Sequence, residues 1–202
     1  MVEADFFKRP APLVAPDLIG KKLVRIQDGQ RLAAIIIETE AYQGQDDLAC
    51  HAHVGKTNRN QVMFGEPGRA YIYFTYGMHW LLNIVTDQVD VPAAVLIRAV
   101  FPLEGLETMA LNRPRQANSS QWLNGPAKLT QALGLDGRMN GYELGKPKSE
   151  LFIEIGIIVP GNQVKSSPRV GLGKTPEPWL SLPWRWNLEW QQAKELINKD
   201  MD

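Results

Sequence analysis

The sequence predicts an α+β fold built on a curved, mostly antiparallel β-sheet, and three observations point to it. β-Branched or alternating apolar runs recur through the first hundred residues and are joined by turn signals. The two helices expected after Ala94–Val100 follow one another, so they do not alternate with strands as a parallel sheet requires. The 202 residues carry no internal repeat, low-complexity tract or convincing linker, which suits one well-cored domain over residues 1–202.

In chain order, Asp17 is expected to cap a short helix that leads into a strand at Leu23–Ile26. Asp28-Gly29 is a turn signal, and the β-branched run Leu32–Thr39 follows it, so Leu23–Thr39 is expected to form a hairpin. Asn58–Phe64 suits one or two helical turns, stopped by Pro67-Gly68. Tyr71–Tyr76 alternates like a strand, breaks at Gly77 and resumes over Leu81–Val85. Ala94–Val100 is a further strand, apolar enough to be buried. A helix is expected over Leu103–Leu111, with Leu103, Leu106, Met109 and Ala110 as its apolar positions. A second helix starts with Pro126 in its first turn, carries Leu129, Ala132 and Leu133 on one side, and ends at Gly134. Leu151–Val159 is expected to return to strand. Trp179, Trp184, Trp186 and Trp190 are expected to be packing anchors, and Glu189–Lys199 a short amphipathic helix.

Hydrophobic residues make up 44% and charged residues 22%, an ordinary globular balance. The one cysteine, Cys50, excludes an intrachain disulfide and fits a reducing compartment. The N-terminal residues carry Glu3 and Asp5 and no apolar stretch like a signal peptide. The longest apolar run, Leu32–Ile37, is too short to cross a bilayer. A soluble, cytoplasmic monomer is expected. Lys plus Arg and Asp plus Glu both number 22, so no global positive field steers the chain toward phosphates. Local balance differs: between His51 and His79, Lys56, Arg59 and Arg69 face Glu66 alone. Between Lys165 and Arg185, four cations face Glu177.

Polar and aromatic groups cluster. All three histidines (His51, His53, His79) and four of the five tyrosines (Tyr42, Tyr71, Tyr73, Tyr76) fall in one stretch. A site for a flat, hydrogen-bonding ligand needs such groups, and a tyrosine-rich sheet face would show them too. Glu38-Thr39-Glu40 carries an apolar strand directly into acid. Strict alternation puts Ala34, Ile36, Glu38 and Glu40 on one face. A carboxylate leaving an apolar face is partly desolvated and becomes a better base, whereas a strand simply leaving the core would solvate both acids. Glu40, Asp46, Asp47 and His51 are close enough in sequence to raise a metal site. There is no HExxH or paired-cysteine spacing, however, and Asp46-Asp47 serves equally as a turn or cap. No phosphate-cradling loop is present.

Taken together, these segments resemble the alkyladenine (3-methyladenine) DNA glycosylase family. The matching runs include Asp17-Leu18-Ile19-Gly20-Lys21, Glu38-Thr39-Glu40-Ala41-Tyr42, Asp47 through Ala49 to His51, and Thr57-Asn58-Arg59-Asn60 leading to Met63-Phe64. They continue through Tyr71–His79, Asn83, Leu96-Ile97-Arg98-Ala99 and Asn124-Gly125-Pro126 to Leu133, with a looser match at Pro168-Arg169-Val170-Gly171. The resemblance implies a single α+β domain on a curved antiparallel sheet, partly open and barrel-like, and hydrolysis without metal or other cofactor. It implies base-excision repair of double-stranded DNA with damaged purines, by a monofunctional enzyme, nucleoid-associated in a bacterial-type cytoplasm. By position, Glu40 corresponds to the general base and Arg98 to a residue that helps hold the water. Tyr42, His51 and Tyr73 correspond to the walls around an extruded base. Asn83 corresponds to the residue that crowds the amino group of normal guanine, and Tyr76 to the wedge in the minor groove. Trp80, beside that wedge, is bulkier than the resemblance implies. Two other readings use the same residues: a module that binds a damaged base without cleaving it, and a metal-dependent nuclease built on Glu40, Asp46 and Asp47.

Overall fold

The computed structural model describes residues 1–114, 121–146 and 149–201. The Asp28-Gly29 turn sits at positive φ in both residues (50° and 77°), as a two-residue hairpin turn requires. It joins β1 (Lys22–Gln27) to β2 (Gln30–Gln43). The other strands are β3 (Ala70–Thr75), β4 (His79–Val85), β5 (Ala93–Glu104), β6 (Leu151–Glu154), β7 (Lys165–Ser167) and β8 (Arg185–Asn187). Every pairing is antiparallel, in the order β3-β4-β5-β2-β1-β6, with β8 added to β2 and β7 to β8. The eight strands curl into a half-barrel, and four helices accompany them among the described residues. These are α1 (Ala11–Leu18), α2 (Leu106–Asn112), α3 (Pro126–Ala132) and α4 (Trp190–Met201). Among the described residues no helix is long and apolar enough to cross a membrane.

Period-2 alternation builds two cores on the two faces of the same strands. Ala70, Ile72, Leu82, Ile84, Val95 and Ile97 join the main core with Val14, Leu18 and Leu129. Their neighbours Tyr71, Val85 and Ala94 join a smaller cluster with Cys50, Ala52, Met63 and Phe64. The long segment between β2 and β3 therefore covers the face that the helices leave open. Tyr42 and Tyr73 pack at the edge of this second cluster, where a recess forms.

Several expectations shift at element ends. Asp17 does not cap the first helix: it lies in the last turn of α1 and pairs with Arg9 at 2.8 Å. Leu103 belongs to β5, and the following helix starts only at Leu106. The break is Gly105, at φ 75°, where a Cβ would lie 2.8 Å from the Arg31 carbonyl oxygen, so only glycine makes the turn. β6 stops at Glu154, well short of Val159. Asn58–Phe64 contains one 3-10 turn, Gln61–Phe64. As expected, Pro126 opens α3 and Gly134 (φ 60°) follows it. Trp184, Trp186 and Trp190 pack against the main core, and Trp179 rests on Trp184. The last helix begins at Trp190, with Ala193 and Ile197 buried four residues apart on one side.

Candidate active site

The face shared by Ala34, Ile36, Glu38 and Glu40 does not run unbroken, because two of the three register shifts in the β2–β5 ladder fall within it. Ile36 pairs with Val100 and Glu38 with Ala99, which leaves Ile37 unmatched. Thr39 then pairs with Ile97, which leaves Arg98 unmatched. An extra residue in a strand re-aims the side chains beside it. Here the irregularity brings three charged groups together. Arg98 Nε donates to Glu38 Oε1 at 3.0 Å and Arg98 Nη1 to Glu40 Oε2 at 3.1 Å.

Glu40 is wholly buried, with its side chain at 0% exposure. Its Oε1 accepts the Val170 backbone N–H at 2.6 Å, and its Oε2 also accepts the Tyr42 hydroxyl at 2.9 Å. Burial pushes its pKa above the ordinary 4.5, outweighing Arg98, the Val170 amide and Tyr42, which pull it down. Arg98 is affected first by burial, which opposes its charge, yet Glu40 and Glu38 together raise its pKa. The guanidinium therefore stays charged, beside a carboxylate that holds its proton more tightly than a solvated one.

A cavity of about 390 Å³, in the range of small-ligand sites, opens in front of this cluster. Tyr42, His51, Tyr73, Tyr76, Asn83 and Arg98 all line it. Glu40 lies directly behind Tyr42, Arg98 and Val170, three of the lining residues that touch it. His51 and Tyr73 meet edge to face at 4.6 Å, and His51 Nδ1 contacts the Tyr71 hydroxyl at 3.2 Å. Burial, then Arg59 and His53, hold the His51 pKa below its ordinary value, so the ring is neutral at pH 7. Burial pushes the Tyr73 hydroxyl up to about 12, and it too stays protonated. The buried Asn83 donates from Nδ2 to the Tyr71 carbonyl at 3.1 Å, which sets the orientation of its amide.

At the cavity mouth the β3–β4 hairpin turns through Tyr76 (φ 51°) and Gly77 (φ 66°). Positive φ is uncommon for a bulky residue. It leaves Tyr76 86% exposed at the tip, with Met78 67% exposed beside it. Trp80 anchors the hairpin: it stacks on Phe74 at 4.7 Å, and its carbonyl accepts the Thr130 hydroxyl of α3 at 2.7 Å. Gly137 makes room for the indole, since a Cβ there would lie 2.7 Å from it.

Three residues given no role from sequence, together with Asp47, read there as a turn residue or metal ligand, prove central to the scaffold. Arg169 and Asp47 form a bidentate pair at 2.6 and 3.0 Å, both side chains at 0% exposure. The Arg169 guanidinium lies over the rings of Tyr42 (4.8 Å) and Trp184 (5.2 Å). It therefore fixes both the Tyr42 ring and the neighbouring Val170 amide. Asn60, also buried, donates to the carbonyls of His51 and Gly55 and accepts the Thr57 N–H, which locks the loop carrying His51. Arg169 and Val170 lie in the loosest stretch of the resemblance, and only their pairing in space exposes their part. For Asp47 and Asn60 a faint signal existed, as polar residues within closely matching runs.

The donor set for a metal-dependent nuclease does not assemble. Asp47 is saturated by Arg169 and by the Gln43 and Ala49 N–H groups, while Asp46 is exposed. Among the described residues no three of His, Cys, Asp and Glu converge as a metal requires.

Fold and site together define a half-barrel protein with an aromatic slot backed, behind Tyr42, Arg98 and Val170, by a buried carboxylate. The profile of the methylpurine-DNA glycosylase (MPG) family matches residues 5–192, and the chain belongs to that family. Its relatives include proteins with provisional 3-methyladenine DNA glycosylase names. One from Methanocella arvoryzae is 45% identical over 90% of this chain and 88% of its own length. One from Chlorobaculum parvum is 43% identical over 90% and 84%, and one from Carboxydothermus hydrogenoformans 42% over 94% and 95%.

Proposed function

We propose that the chain excises methylated purines, 3-methyladenine among them, from double-stranded DNA by hydrolysing the N-glycosidic bond after the nucleotide is turned out of the helix. The observation that carries this reading is the fully buried Glu40 at the back of an aromatic-walled cavity. An ionised carboxylate has about four acceptor directions. Three are taken by Val170, Tyr42 and Arg98, which leaves one for a water. Glu40 takes that water's proton as the oxygen attacks C1′. The C1′–N bond breaks, and its electron pair leaves with the purine. Arg98, which lines the cavity, helps hold the water.

The base stands between Tyr42 on one side and His51 and Tyr73 on the other. A methylated purine is cationic and already a good leaving group, so a positioned water and a base suffice. Deaminated purines such as hypoxanthine lack that charge and are cleaved more slowly by the same machinery. Asn83 crowds the exocyclic amino group of an undamaged guanine. Turning the nucleotide out costs a few kcal/mol, and Tyr76 offsets part of this by filling the gap. No lysine lines the cavity among the described residues, so no amine is placed to attack C1′ and open the sugar. The product is an abasic site in an intact strand.

The test is a duplex with one 7-methylguanine or hypoxanthine, incubated with EDTA. Free base and an uncut strand are expected, with release abolished in Glu40→Gln while lesion binding persists. Strand scission that EDTA stops would overturn the reading in favour of a nuclease. Binding without release on every lesion would leave a recognition module.

A further inference from the structure

Glu38 has no part in the family-based assignment, yet its carboxylate is as closely tied to Arg98 as that of Glu40. It meets Arg98 Nε at 3.0 Å and also pairs with Arg185 of β8 at 3.3 Å. Glu38 borders a separate cavity of about 140 Å³ with Asn124, Asn187 and Glu189, and is not among the residues lining the aromatic slot. It is therefore placed to act on the reaction only through Arg98 and Glu40. Arg98 itself stands at a register shift, where the ladder constrains it least. A guanidinium is planar, so holding its Nε edge sets where both terminal nitrogens point.

Resting on the glycosylase reading above, we infer that Glu38 is a positioning residue for base excision: it grips the Nε edge of Arg98 and so holds Nη1 against Glu40. Arg185, paired to Glu40 in the β2–β8 ladder, steadies Glu38 in turn. The charged and titratable groups around Glu40 come from several elements. They are Glu38 and Tyr42 on β2, Arg98 on β5, Tyr73 on β3, and Arg169 with its partner Asp47 behind Tyr42. Within this set Glu38 is the carboxylate that raises the Glu40 pKa, against the pull of Arg98. One side chain thus serves two ends: it aims the guanidinium, and it keeps that guanidinium from over-stabilising the charged base.

The two roles separate in two variants, measured by single-turnover release of 7-methylguanine from a duplex across pH. Glu38→Gln keeps an acceptor for Arg98 Nε but loses the charge, so the acid limb of the rate profile moves to lower pH. Glu38→Leu loses both, and its plateau rate falls roughly ten- to a hundredfold, as a misplaced catalytic group does. Lesion-duplex affinity is unchanged in both, which a merely structural defect would not leave intact. Wild-type limbs and plateaus in both variants, or losses that appear as weaker binding, overturn the inference. If Glu38→Leu shows no cooperative melt, Glu38→Ala takes its place, and a wild-type plateau in it overturns the inference. Full activity in Glu40→Gln would bring down the underlying reading as well. An inactive Glu40→Gln beside inert Glu38 variants would bring down this inference alone.

Discussion

Replacing Asp47 with asparagine tests whether the Asp47–Arg169 pair is the clamp that holds the site in shape. The Asp47 carboxylate accepts four hydrogen bonds: two from Arg169, one from Gln43 N at 3.2 Å and one from Ala49 N at 3.0 Å. Each oxygen accepts two of these, and an amide offers one acceptor oxygen, so two N–H groups face another donor and a buried guanidinium loses its counter-charge. Removing one partner of a buried pair costs about 3–5 kcal/mol. Arg169 keeps the carbonyls of Ala41 and Trp179 and its stacking on Tyr42 and Trp184, which favours the lower end. For a chain of this size ~3 kcal/mol corresponds to a drop in Tm of roughly 6–12 °C. The functional effect follows from the neighbouring residue. With Arg169 loosened, the Val170 N–H leaves Glu40 Oε1, and a hydrogen bond that favours the ionised base is lost. The acid limb of excision therefore moves to higher pH, opposite to Glu38→Gln. Calorimetric melting and single-turnover excision measure both. A Tm within about 2 °C of wild type, with an unmoved limb, would refute the clamp.

Three more outcomes are expected. Because the proposed mechanism uses Glu40 in its ionised form and its pKa lies above 4.5, excision should fall with decreasing pH before an ordinary carboxylate would titrate, and a limb at or below 4.5 would contradict this. The same raised pKa makes the folded state hold this proton more tightly than the unfolded chain. The stability it contributes is full below 4.5 and is lost as pH rises to the folded value. Glu40→Gln should accordingly melt at or above wild type at pH 7, and a clearly lower Tm would count against that balance. Tyr76→Ala should slow excision from duplex DNA more than from flexible single strands, and equal losses on both would remove the wedge. Finally, log affinity for a lesion duplex should fall with log salt at a slope no steeper than about −4. Lys56→Ala or Lys128→Ala should each flatten it by about one, as loss of one phosphate contact does. A flat salt dependence would speak against phosphate contacts there.

Most strands were legible because their signals are local. Asp28-Gly29 marks its own hairpin, and the alternation of Tyr71–Thr75 against Leu81–Val85 separates two faces before any partner is known. Apart from β7 and β8, which were not expected at all, the errors lie at element ends, where distant residues decide. Leu103 and Glu104 extend β5 because Ala33 is there to pair with, and β6 stops short because β1 pairs only through Lys22. The strict face from Ala34 to Glu40 fails for a related reason. A register shift is a property of two strands, and neither carries a mark of it in its own sequence. At the site, the residues that line the cavity came from recognisable motifs, whereas those that brace it did not. Asp47 and Arg169 are 122 positions apart, and nothing in either segment announces the other.

The net neutrality that argued against a nucleic-acid partner looks different once the charges are placed. Several carboxylates away from the cavity are already matched: Asp17 with Arg9, Glu104 and Glu154 with Arg31, Glu143 with Arg69 and Lys146, Glu150 with Arg25, Glu189 with Lys165. Inside the site the balance is equally close, with Glu38, Glu40 and Asp47 set against Arg98, Arg169 and Arg185. Lys56, Arg59, Lys128 and Lys174 differ, because among the described residues they form no ion pair, and all four lie on segments that border the cavity. Paired charges cancel at a distance, whereas unpaired ones do not, and screening confines both to within about 8–10 Å. A phosphate backbone laid across the Tyr76 hairpin would therefore meet these cations, whatever the total. Net charge constrains long-range steering; close contact is governed by which charges are left without partners.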